Sequence, residues 1–102
     1  MTSKWKVDLS RQAKKQYKLF AYSGQKRPSI IDVVDALIID LEKRGPQLID
    51  WPHYGIIHKS KRSYYHCHLR RGHPTYIACW EIDEVEKKIE VFYVGSHEDA
   101  PY

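Results

Sequence analysis

Between residues 4 and 9 polar and apolar side chains alternate: Lys-Trp-Lys-Val-Asp-Leu. A period of two puts Trp5, Val7 and Leu9 on one face of a short strand. Ser10 then offers an N-cap, and the spacing predicts a helix over roughly 11–21. Ala13, Tyr17 and Phe20 or Leu19 give that helix a narrow apolar stripe, while Lys14, Lys15 and Lys18 turn to water or a partner. Gly24 breaks it and leaves 22–27 as loop. The second helix is the clearer one. Pro28 and Ser29 open it, and Gly45-Pro46 closes it. Ile30, Val33, Val34, Leu37, Ile38 and Leu41 recur at helical spacing, a broad face for packing on a sheet. Lys43 and Arg44 suit the negative end of its dipole.

After Pro46 the chain changes character. Aromatic and β-branched residues dominate, and turn signals recur at Pro52, Gly55, Gly72-His73-Pro74, Asp83-Glu84 and Gly95. Three strands are predicted, near 62–70, 75–82 and 88–94. Their short connections make them antiparallel neighbours. The expected fold is α+β in the order β-α-α-β-β-β, with two helices packed on one face of a mainly antiparallel four-stranded sheet. The whole chain, 1–102, reads as one domain.

Alternation also sorts the side chains of the strand near 64–70. Tyr65, Cys67 and Leu69 form an apolar row for the helices, whereas Tyr64, His66, His68 and Arg70 form an outward row. Tyr76, Trp80 and Phe92 or Tyr93 are the candidates to share that open face from neighbouring strands, according to register.

Charge gives this face a purpose. From Trp51 to Trp80 there is no acidic residue; all thirteen acids lie outside. The same window holds Lys59, Lys61, Arg62, Arg70 and Arg71, with five of the six histidines. A net charge of +4 concentrated this way makes a local positive field suited to a phosphate backbone. An ordinary solvated face would mix both signs. Histidines add groups that move protons near neutral pH, so the combination points to chemistry on nucleic acid.

Other classes recede. A chain 42% hydrophobic and 13% aromatic folds. No apolar run is long enough to span a membrane. The opening MTSKWKVDLS has no signal-peptide character, so the expected compartment is the cytoplasm. Cys67 and Cys79 make no C-x-x-C motif and read as reduced core thiols. His66, Cys67, His68, His73, Cys79 and His97 match no zinc spacing, so neither a metal nor another cofactor is expected. His97 follows Gly95-Ser96 at a strand end, a place where a catalytic group can be held, although a lone histidine there is more often plain surface.

The strings YYHCHLRRGHPTYIACWEIDE and IEVFYVGSHEDAPY follow a helix ending in EKRGP and a WPHYG segment. Together they resemble RelE/ParE-superfamily toxins, and within them the RelE-type mRNA interferases of bacterial type II toxin–antitoxin systems. The resemblance covers nearly the whole chain, its specific part being the C-terminal half. It implies a metal-independent endoribonuclease that cuts mRNA in the ribosomal A site and inhibits translation. In that mechanism a ribose 2′-hydroxyl attacks the adjacent phosphate and expels the 5′-oxygen. A base, an acid and cations for the phosphorane charge are required.

Carried over residue by residue, the resemblance puts His66 and His68 on the RNA-facing strand and makes Arg70 and Arg71 phosphate contacts. Ile77 stands where the family has an arginine, a departure that bears on the charge stabiliser. His97 occupies a position that is Arg or His in the family, and Tyr102 matches a recurrent C-terminal tyrosine. His97, Tyr102, His66, His68 and Arg70 are thus the catalytic candidates. Tyr64 is a stacking candidate, and Lys59, Lys61, Arg62 and Lys14–Lys18 are grips for RNA backbone. The implied partners are a cognate antitoxin, mRNA and the ribosome, with no membrane. Two other readings stay open: a ParE-like toxin acting on DNA gyrase, and an RNA-binding module without catalysis.

Overall fold

A computed structural model describes residues 5–22, 30–59, 61–70 and 75–101, with nothing of the Lys59 side chain. The chain runs β1 (Lys6–Leu9), α1 (Arg11–Tyr22), α2 (Ile30–Arg44), β2 (Gly55–Lys59), β3 (Arg62–Arg70), β4 (Tyr76–Asp83) and β5 (Lys88–Ser96). The sheet has five strands in the order β1-β5-β4-β3-β2, one more than the sequence pattern predicts. The extra strand is β2. Its start, Gly55, reads as a turn signal, and Ile56 and Ile57 break the alternation that marks a strand. Its partner β3 imposes the extended form: Gly55 pairs with His66 and Lys59 with Arg62. β1 runs parallel to β5, and the other neighbours are antiparallel.

Ser10 makes the turn from β1 into α1. Its hydroxyl accepts the Ala13 N–H at 3.2 Å, an N-cap bond, and donates to the Phe92 carbonyl at 3.0 Å. Beyond the reach of β1, the Gln12 side-chain amide pairs with β5, bonding both the carbonyl and the N–H of Val94 at 3.2 and 3.3 Å. A helix side chain thus satisfies the strand edge that β1 leaves bare. α2 ends at Gly45, whose φ of +85° disfavours a side chain and whose N–H reaches Leu41 at 2.9 Å. A Cβ there would sit 2.8 Å from the Trp5 indole nitrogen.

The main core lies between the helices and one face of the sheet. Ile30, Val34, Leu37 and Leu41 of α2 meet Cys67, Ala78, Trp80, Val91 and Val94. Two bulges decide what reaches the opposite face. One, between Cys79 and Trp80, pairs Cys79 with Tyr93 and Trp80 with Val91, so Phe92 and Tyr93 both join the open face. The other, between His68 and Arg70, pairs Arg70 with Tyr76. Tyr76 packs on the main core, edge to face with Phe20 at 5.1 Å, and Trp80 is fully buried there. Tyr76 and Trp80 therefore belong to the helix side. Strict alternation puts Arg70 in the outward row; the bulge instead lays its guanidinium carbon 5.2 Å from the Tyr76 ring centre.

Tyr64 faces the open side but is not available there. It is 4% exposed in a small second core with Ile77 and Cys79, flanked by Ile57, Phe92, Tyr93 and Ala100. The chain after β5 folds over this patch, and the Tyr64 hydroxyl donates to the Pro101 carbonyl at 3.1 Å.

Candidate active site

Four histidines from three separate stretches of chain meet on the open face. His66 and His68 come from β3, where they pair with Cys79 and Ile77, both of the open-face core. His53 comes from the loop before β2, and its ring centre lies 4.2 Å from that of His68 with the planes 31° apart. His97 follows β5, and its ring meets His68 edge-on at 5.5 Å. His68 thus contacts two exposed imidazoles.

Backbone contacts bring the three stretches together. The His68 N–H donates to the Pro52 carbonyl at 2.8 Å and ties the loop of His53 to β3. The His97 N–H donates to the Thr75 carbonyl at 2.8 Å and ties the end of β5 to the start of β4. Gly55 makes room for His66, since a Cβ at that position would lie 3.1 Å from His66 Nε2. Gly95 does the same for Tyr93, whose hydroxyl would be 2.8 Å from such a Cβ and donates to the Ser96 carbonyl at 2.7 Å. After His97 a turn forms in which the Ser96 hydroxyl donates to Asp99 at 3.1 Å and accepts the Asp99 N–H at 3.3 Å.

Burial dominates the electrostatics of His66. Desolvation holds its proton affinity below the usual histidine value, and the positive charges that His53 and His97 can carry push it the same way. A neutral imidazole is the form in which a base works. The two thiols are inert by the same physics, since burial pushes Cys67 and Cys79 up to about 12. Among the described residues no three His, Cys, Asp or Glu side chains are arranged to hold a metal ion.

Of the other residues proposed from sequence, Arg62 leaves the acid-free window to pair with Glu81, at 2.7 Å, and lies over Phe92 with its guanidinium carbon 5.3 Å from the ring centre. That pair is exposed and weak, so a phosphate can compete for the arginine. Lys61 is exposed beside it at the β2–β3 turn. Arg71 and Tyr102 lie outside the described residues, as does the Lys59 side chain. Arg11, Lys14, Lys15 and Lys18 line a groove of about 340 Å³ on α1. His53 is the residue that sequence reasoning missed. Its signal is its place in the acid-free window two residues before Gly55, but only the loop closure onto β3 brings it to His68.

No protein-family model matches the chain, and no characterised protein matches it in sequence. Among solved structures, the fold is similar to that of a metal-bound toxin from Helicobacter pylori, at a TM-score of 0.69 and 15% identity. The match covers 93% of this chain and 97% of that one. At that identity the likeness establishes a shared fold.

Proposed function

We propose that this protein is the toxin of a type II toxin–antitoxin pair and an endoribonuclease that cleaves mRNA, in the RelE manner, on the ribosome. The observation that carries the reading is the convergence of His53, His66, His68 and His97 on the open face, in a fold shared with a bacterial toxin. Cleavage by an internal nucleophile needs a base and an acid at one phosphodiester, and two imidazoles can supply both.

In this reading a neutral imidazole, His66 or His68, takes the proton of a ribose 2′-hydroxyl. The oxygen attacks the adjacent phosphorus, the bond to the 5′-oxygen breaks, and a protonated His97 returns a proton to that leaving oxygen. The products are a 2′,3′-cyclic phosphate and a free 5′-hydroxyl. Protonated rings around the phosphate offset the charge of the phosphorane, which suits a site where Ile77 replaces a family arginine and Arg70 faces Tyr76. Tyr102 stays a candidate from resemblance for contact with the reacting nucleotide. The basic groove on α1, with Lys61 and Arg62, holds RNA backbone outside the reacting linkage, and that binding weakens as salt rises.

Single-turnover cleavage of mRNA on programmed ribosomes tests the proposal. A cyclic-phosphate product formed by the parent protein, and strongly reduced in His97→Ala, supports it. Growth arrest with intact mRNA and damaged DNA would replace it by the gyrase-directed reading. Salt-sensitive RNA binding without any cut product would replace it by a binding module.

A further inference from the structure

The segment between α2 and β2 carries His53 and is fastened at both ends. At the sheet end the fastening is the bond from the His68 N–H to Pro52. At the helix end it is polar and joins side chains of the segment to side chains of α2. The Trp51 indole N–H donates to Asp40 Oδ2 of α2 at 2.8 Å. Arg44, one helical turn on, donates to the same oxygen at 3.4 Å and to Asp50 Oδ1 at 2.5 Å. Its bond to Arg44 holds the Asp50 carboxyl below the usual range. Within the segment the Trp51 N–H reaches the Leu48 carbonyl at 3.0 Å, and the Tyr54 N–H reaches the Trp51 carbonyl at 3.2 Å.

His53 sits between these anchors with φ at +52°, the left-handed region that a side chain rarely adopts. Such a conformation persists only where surrounding contacts over-determine it. The nearest side-chain anchor on the helix side is Trp51, two residues away. The bond of Trp51 to a carboxylate is charge-assisted and directional, so it holds this part of the segment against α2.

We propose that Asp40 and Trp51 are positioning residues for the histidine site: their hydrogen bond sets the loop that packs the His53 ring on His68. The inference rests on the reading of the histidine cluster as the cleavage site. It adds a dependence of that site on the C-terminal half of α2, on the opposite side of the sheet. Small displacements matter in such a site, since about 1 Å of misplacement can lower a rate by roughly 10²-fold.

The test uses Trp51→Phe, Asp40→Leu and Asp40→Asn in the full chain. Phenylalanine cannot donate, leucine cannot accept, and asparagine keeps an oxygen for the indole N–H. The first two are expected to lower kcat for RNA cleavage by about tenfold to a hundredfold with KM unchanged, and Asp40→Asn to restore most of it. Side-chain NMR supplies a readout free of activity. The ring resonances of His53 and His68 should move in Trp51→Phe and Asp40→Leu. Those of His58, hydrogen-bonded to Ser63 across the β2–β3 hairpin at 2.7 Å, should not. If the parent protein cuts no RNA but the two rings respond this way, the cleavage reading fails while the positioning role stands. Unmoved His53 and His68 resonances overturn the positioning role, as does a change spread over all the histidines with His58 included.

Discussion

The His53 and His68 rings face each other at 4.2 Å, although one stands on a loop and the other on a strand fifteen residues later. The His53 ring is one wall for His68, which also meets the His97 ring. His53→Ala removes that wall. Single-turnover cleavage is expected to slow by about tenfold or more, with the folded structure retained. An unchanged rate would remove His53 from the site.

His97 and Arg70 separate two accounts of the charge chemistry. His97 is exposed beside His68, whereas the guanidinium of Arg70 lies over Tyr76 on the other side of the bulge. His97→Ala is therefore expected to lower the cleavage rate by about 10²–10⁴-fold, the range of a lost general acid or base. Arg70→Ala should cost less, and act on RNA affinity rather than on the chemical step. Rates and binding constants measured on the same RNA decide between them; a larger loss in kcat for Arg70→Ala would return the arginine to the reacting phosphate.

His66 makes stability depend on pH. Its proton affinity is depressed in the folded state, first by desolvation and then by His53 and His97. The unfolded chain therefore binds more protons over that interval, and stability rises with pH there. The contribution of the neutral ring is complete above about 6.5, the unfolded value, and is lost as pH falls through the lower folded value. Urea midpoints between pH 7.5 and pH 5 should fall for the parent protein and fall less for His66→Gln. Equal slopes for the two would show that the shift belongs to another group.

Metal removal is a separate check on the proposed chemistry. The nucleophile is internal to the substrate, and no described trio of side chains is arranged for an ion. Cleavage should survive exhaustive dialysis against EDTA at an unchanged rate. Loss on dialysis with recovery on adding a single divalent metal would displace the imidazole mechanism.

The bond from Tyr64 to Pro101 closes the end of the chain over the open-face core. Tyr64→Phe keeps the ring and deletes the donor, at a cost of about 0.5–1.5 kcal/mol. Hydrogen exchange at Ala100, whose N–H reaches the His97 carbonyl at 3.3 Å, should speed up more than exchange in β4. Uniform acceleration across the sheet would mean that the bond supports the whole fold rather than this end.

Periodicity made both helices legible, together with β1, the three later strands, and the row of Tyr65, Cys67 and Leu69. It failed at β2 because an edge strand need not alternate, and a glycine chosen to admit His66 looks like one chosen for a turn. It failed for Arg70, and left Phe92 and Tyr93 unresolved, because a bulge shifts register by one residue and carries no pattern of its own. Within the site, His66, His68 and His97 could be proposed from charge, alternation and resemblance. His53 could not, because its proximity comes from loop closure onto β3.

The parallel pairing of β1 with β5 has a kinetic consequence. Ser10 and Phe92 bond across 82 positions of sequence, and Gln12 and Val94 do the same. Contacts of such separation close late and slow folding. The strand that leads into His97 is also the strand on which the N-terminal segment docks. Until β1 docks, the outer edge of that strand stays unpaired, so the support beneath this end of the cluster is completed only by contacts between residues 82 positions apart.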